Sequence, residues 1–149
     1  MFSEGPAHAL TIHSSTMNDP DWKAKAPRFP GRLSAALRNS LAGFRHAIAN
    51  ESAIREELIA MTILAPVAVW VPVSRVEHLL LLLSLLLVLL LELVNSAIEA
   101  TVDRISLERH PLAGQAKDLG SAAVLTALLM TGLTWGMIVG PVVLRWWRG

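Results

Sequence analysis

"LLLLLSLLLVLLLELVNSAIEATVDR", residues 79–104, decides the fold. Its first thirteen residues hold one polar side chain, Ser84, and Glu92, Asn95, Glu99 and Asp103 follow directly. The apolar segment that contains this run, roughly 79–100, matches the ~20 residues that cross a bilayer. A carboxylate at membrane depth is expensive and is kept for a purpose. At 100° per residue, Glu92, Glu99 and Asp103 fall within about 20° of one direction, with Asn95 about 60° away. The span therefore carries one polar stripe at one end, which has to face protein or a water-filled cleft.

The rest of the chain agrees with a membrane class. The 149 residues are 53% hydrophobic and 17% charged, with a mean hydropathy of +0.49. Average soluble domains carry about 25% charged residues. The net charge of +1 gives no basic field for nucleic acid. The absence of cysteine excludes disulfides, thiolate metal sites and cysteine nucleophiles.

Residues 1–30 are polar and proline-bearing and are expected to form a disordered tail. Residues 31–50 put Leu33, Leu37, Leu41, Phe44 and Ile48 on one helical face, with Arg32, Arg38, Asn39, Arg45 and His46 mostly off it. A basic amphipathic helix of this kind lies on a membrane surface. Three apolar segments follow, expected as spans over about 52–73, 79–100 and 119–144. The first contains Pro66, which neighbouring helices can accommodate. The third is rich in small residues that suit close helix packing, among them Gly120, Ser121, Ala127 and Gly132. Trp70, Trp146 and Trp147 fall at expected interfaces. Ten Lys and Arg lie before the first span and between the second and third, against three elsewhere. Positive-inside counting then puts the N-terminus and the 104–118 loop in the cytoplasm and the C-terminus outside.

"NESAIREE", residues 50–57, leads into the first span and puts Glu51 at about the depth of Glu99. Two carboxylates from two helices, with no cysteine or histidine cluster beside them, suit a hard cation such as Mg²⁺. The second loop supplies Arg104, Arg109, His110, Lys117 and Asp118 at the same face. Such a set can transfer a phosphoryl group to a lipid hydroxyl. No phosphate-binding glycine loop of soluble kinases is present. From the residues alone three readings stand: lipid phosphorylation, a small oligomeric proton or cation carrier using Glu92, and a stripe that pairs with Lys or Arg across an oligomer interface. Glu51, Glu56 and Glu57 also read as ordinary acids at a helix start.

"ELVNSAIEATVDRI" (92–105 preceded by its leucines), "AGQAKDLGSAAVL" (113–125) and "NESAIREE" together closely resemble the signature of the prokaryotic diacylglycerol kinase family, over about residues 31–140. The resemblance implies an all-α integral membrane protein with three transmembrane helices and an N-terminal amphipathic surface helix. It implies a homotrimer with active sites shared between subunits, in the bacterial inner membrane. It implies Mg-ATP as donor and diacylglycerol as acceptor, giving phosphatidic acid, with undecaprenol as the acceptor in Gram-positive relatives. By the same resemblance Glu92 is the general base and Glu51 and Glu99 hold Mg²⁺. Arg32, Asn39, Glu51, Glu99, Glu108, Arg109, His110, Lys117 and Asp118 are nucleotide-binding positions. Arg32, Ser40, Glu56, Trp70, Asn95 and Ser121 line or support the lipid side. The chain departs from the family in its long N-terminal tail, in Glu56 where glutamine is expected, in Asn39 where an aromatic is common, and in Pro66.

Overall fold

A computed structural model of the chain describes residues 29–105 and 110–149, all of whose regular structure is helical. The tail expected over 1–30 lies outside the described residues, except for Phe29 and Pro30, which begin the first helix; Glu108 and Arg109 lie outside them too. The helices are α1 (Phe29–Asn50), α2 (Ser52–Trp70), α3 (Arg75–Ile105) and α4 (Pro111–Arg148). The chain divides into two units, Met1–Leu41 and Ala42–Gly149, with the border inside α1.

In the first unit, the helix starts with a proline in its first turn, where the missing N–H costs nothing. Ser34 donates to the Gly31 carbonyl at 3.1 Å. Leu33, Leu37 and Leu41 are exposed.

In the second unit, α1 ends because its last carbonyls find other donors. The Asn50 amide donates to the His46 carbonyl at 2.8 Å, and the Glu51 N–H to that of Ala47 at 2.8 Å. The Arg55 guanidinium reaches back to the carbonyls of Ile48 and Ala49 at 3.0 and 3.3 Å. The chain turns at Glu51, which is extended (φ −104°, ψ 119°), and α2 begins. Ile54 is fully buried and packs in a cluster with Ala47 and Leu89, flanked by Leu58, Met61 and Leu93. That cluster fixes the start of α2 beside the middle of α3.

α2 ends at Trp70, ahead of Pro72. Ser74 and Glu77 then form a reciprocal cap for α3: the Ser74 N–H donates to the Glu77 carboxylate at 2.7 Å, and the Glu77 N–H to the Ser74 hydroxyl at 3.3 Å. This is the capping box that the spacing Ser-x-x-Glu encodes. It holds the Glu77 carboxyl below the usual glutamate range.

α3 buries Leu81, Ser84, Leu85, Val88, Leu89, Glu92 and Asn95. These positions recur every three or four residues on one face, so Glu92 and Asn95 continue the stripe that the leucines begin. α4 runs antiparallel to α3. Thr131 donates to the Ser84 carbonyl at 3.1 Å, and the Trp135 indole N–H to the Ser84 hydroxyl at 3.2 Å. The single polar residue of the leucine run is thus a fastening point between helices.

α3 and α4, with 31 and 38 residues, are long and apolar enough to cross a membrane. The core helix of a soluble protein is mostly buried, whereas only 33% and 6% of their most apolar segments are buried inside the chain. α2 is shorter, at 19 residues, and carries Arg55, Glu56 and Glu57 near its start. Among the described residues it is not one of the helices that meet the length-and-composition test.

The loop expected over 104–118 is much shorter than the charges suggested. Arg104 belongs to the last turn of α3, and Lys117 and Asp118 are already helical. The reason is a strong start signal. His110 caps α4 by accepting the Leu112 N–H on Nδ1 at 3.2 Å, and Pro111 follows at the first helical position.

Candidate active site

The site is built on α3 by Glu92, Asn95 and Glu99. Glu92 and Asn95 are 9% and 8% exposed, and Glu99 is half-buried. Two carboxylates from α2 come to the same place. Packing of Ile54 against Leu89 and Leu93 sets the level of α2, and one turn earlier stands Glu51. Glu51 occupies the cap position of α2, yet its side chain makes no capping bond. Among the described residues its carboxylate is left for another use. Glu92 lies within electrostatic reach of both Glu51 and Glu99. Glu57 lies within reach of Glu92, and one of its oxygens, Oε2, is buried without a hydrogen-bond partner.

Asn95 organises one side of this group. Its Nδ2 donates to Glu99 Oε1 at 3.0 Å, while its Oδ1 is buried and unpartnered. Beside it, α3 and α4 leave an apolar recess of about 390 Å³ lined by Leu91, Val94, Asn95, Ile98, Ala116, Leu119, Gly120 and Ala123. At the outer edge Lys117 Nζ meets Asp103 Oδ1 at 2.6 Å, bridging α4 and α3. The Asp103 hydrogen bond holds the Lys117 ammonium above the usual lysine range, and Glu99 adds to it.

The expected residues sort clearly. Glu51, Glu92, Asn95, Glu99 and Lys117 come together. Asp118, Ser121 and Glu56 are exposed nearby in sequence. His110 spends Nδ1 on its cap. Trp70 ends α2, 18 residues after Ser52, or about 27 Å along the axis, so it sits at the opposite end from Glu51. Arg32, Asn39 and Ser40 belong to the first unit. Glu57 was missed as a member of the group. Its spacing from Ile54 and Met61 places it on the buried face of α2, whereas Glu56 faces out.

The donor set suits a hard divalent ion. Glu51 is uncommitted, and Glu99 has given only one oxygen to Asn95. Among the described residues no three acidic or histidine side chains form a closed cage. Mg²⁺ commonly takes one or two carboxylates and completes its shell with water and substrate phosphates, so these residues fit it.

Residues 38–139 match the family model for prokaryotic diacylglycerol kinase. The chain belongs to the prokaryotic diacylglycerol kinase family. A diacylglycerol kinase from Pseudomonas aeruginosa is 50% identical over 108 residues, which cover 72% of this chain and 88% of that protein. One from Escherichia coli K12 is 44% identical over 108 residues, with the same coverage of each chain. One from Haemophilus influenzae is 47% identical over 107 residues, covering 72% and 91%. The protein is therefore a lipid kinase, and its long apolar helices agree with a membrane enzyme. Glu51, Glu57, Glu92 and Glu99 lie inside the matched region. The undecaprenol reading is not favoured, since these relatives carry the diacylglycerol name.

Proposed function

We propose that this kinase transfers the γ-phosphoryl group of ATP to the free hydroxyl of diacylglycerol, giving phosphatidic acid and ADP. The observation that carries the reading is a nearly buried carboxylate, Glu92, flanked by Glu51 and Glu99 and backed by Asn95. A carboxylate buried in an apolar span is a poor structural choice. Next to a lipid hydroxyl it is a base.

In the proposed reaction Glu92 accepts the hydroxyl proton as that oxygen bonds to the γ-phosphorus. The bond from the γ-phosphorus to the β,γ-bridging oxygen breaks, and ADP leaves. The proton then passes from Glu92 to water. Glu51 and Glu99 would hold Mg²⁺, which when bound neutralises phosphate charge. Lys117 would leave Asp103 for the phosphates, since positioning and charge neutralisation are most of what phosphoryl transfer requires. Asp118, His110, Arg109, Glu108, Asn39 and Arg32 are the proposed nucleotide contacts. Ser40, Glu56, Trp70 and Ser121 are the proposed lipid-side residues, with Arg32 shared.

The setting is part of the proposal. α2 would be a third span beside α3 and α4, and α1 a surface helix. The subunits would form a homotrimer with shared sites in the inner membrane. The N-terminus and the α3–α4 turn would face the cytoplasm, and the C-terminus the other side. The test is Mg²⁺-dependent transfer of label from γ-labelled ATP to diacylglycerol or undecaprenol, offered separately in mixed micelles. Label on diacylglycerol supports the reading; label mainly on undecaprenol changes the acceptor and keeps the chemistry.

A further inference from the structure

We infer that Gly120 is a positioning residue of the carboxylate site: the bare α4 backbone at this point holds the Asn95 amide in the one orientation that directs its NH₂ to Glu99. The inference rests on the proposed role of Glu99 and adds the residue that keeps Glu99 in place.

Gly120 is buried. A Cβ built on it would overlap Asn95 Oδ1 and stand 3.3 Å from Asn95 Cγ. The other glycines of α4 differ. At Gly114, Gly132, Gly136 and Gly140 a Cβ meets nothing within 4 Å. Gly120 is the one glycine of α4 at which a Cβ meets a neighbour, and that neighbour is Asn95, its side chain first and its Cα at 3.8 Å.

That side chain is held at both ends. Asn95 Nδ2 donates to Glu99 Oε1 at 3.0 Å. Asn95 Oδ1 is buried with no hydrogen-bond donor, against the Cα of Gly120. An unpaired buried acceptor is unfavourable, and the reverse orientation is worse, because it sets two oxygens face to face at Glu99. The glycine leaves the space in which the amide oxygen sits while the nitrogen serves the carboxylate. A methyl group at 120 pushes the amide out, breaks the bond to Glu99 and frees that carboxylate to rotate. Lys117 lies one turn before Gly120 on the same helix, so the same close approach also sets how near Lys117 stands to Asp103 and Glu99.

The test compares Gly120→Ala, Asn95→Ala and the double variant in the full chain in detergent micelles. Two readouts are used: phosphate transfer to diacylglycerol, and the NMR resonances of the Asn95 side-chain amide. Outer partners of a site ligand are worth about 10- to 100-fold in activity, so Gly120→Ala is expected to lose that much turnover. The double variant is expected to be no worse than Asn95→Ala to within about twofold, because residues acting through one contact are not additive. The Asn95 amide resonances are expected to move both in Gly120→Ala and in Glu99→Gln. Wild-type turnover in Gly120→Ala, losses that multiply in the double variant, or an unmoved amide resonance each overturn the inference. Should Gly120→Ala fail to fold, recovery of folding in the double variant supports it, and continued failure overturns it. If the wild-type protein transfers no label, the functional reading fails, while the amide resonances still decide the role of Gly120.

Discussion

Ser84 offers a sharp test of how α3 and α4 are held together. Ser84→Ala removes the acceptor of the Trp135 indole N–H, 3.2 Å away, and the hydroxyl's own bond to the Leu81 carbonyl at 2.8 Å. It spares the Thr131 bond, because that bond ends on the Ser84 backbone carbonyl. One of the two interhelical bonds at Ser84 is therefore lost. Such bonds inside membranes average about 0.6 kcal/mol and reach about 1.7 kcal/mol in double-mutant cycles. A coupling between that average and that maximum is expected here, because Ser84 is buried and the indole N–H is left without a partner in apolar surroundings. The assay is SDS-driven unfolding in mixed micelles followed by far-UV circular dichroism, with Ser84→Ala, Trp135→Phe and the double variant. The coupling between the two sites should be about 0.6–1.7 kcal/mol, or roughly 3- to 18-fold in the unfolding constant. Ser84 lies eight residues from Glu92, about 12 Å along the axis, so turnover of the folded variants should not change. A coupling of zero would show that the bond does not fasten the helices. A large loss of turnover in folded Ser84→Ala would show that this region belongs to the site.

Three further outcomes follow from the geometry. Ile54→Ala, at the only fully buried position among the cluster linking α1, α2 and α3, should cost about 2–5 kcal/mol, and Ile54→Val about 0.5–1.5 kcal/mol, by the same unfolding assay. The Glu77 carboxyl is held below its usual range by Ser74, so its contribution is present above the unfolded value and fades as pH falls through the folded one; wild-type stability should drop more steeply on acidification than that of Glu77→Gln, and parallel curves would refute the cap. Asp103→Asn frees Lys117 from its partner at 2.6 Å and should leave turnover nearly intact, while Lys117→Met should lose about 10²-fold in turnover, as removal of a charge-stabilising donor does; equal effects of the two would mean that the pair, rather than Lys117, matters.

Much of this architecture was legible in the sequence, for identifiable reasons. The leucine run is unbroken enough that α3 admits one reading, and helical spacing puts Glu92 and Asn95 on the stripe that the structure buries. Glu51 was legible because "NESAIREE" starts a helix on the right side of the bundle. Glu57 was legible in principle, from its spacing to Ile54 and Met61, but two neighbouring glutamates disguised it as an ordinary helix start. The early beginning of α4 was written in His110-Pro111, and the surrounding charges obscured it. Other features are not local. Gly120 reads as one small residue among many until Asn95, twenty-five positions away, is set against it. Trp135 has no visible partner until α4 folds back on Ser84. A single sequence reports faces and periods well; it reports poorly which face meets which.

The most direct measurement is transfer of labelled phosphate from ATP to diacylglycerol by the purified protein in mixed micelles with Mg²⁺, compared with Glu92→Gln. The account expects labelled phosphatidic acid from the wild-type protein and essentially none from the folded Glu92→Gln variant. Undiminished transfer by that variant would contradict the assignment of Glu92 as the base.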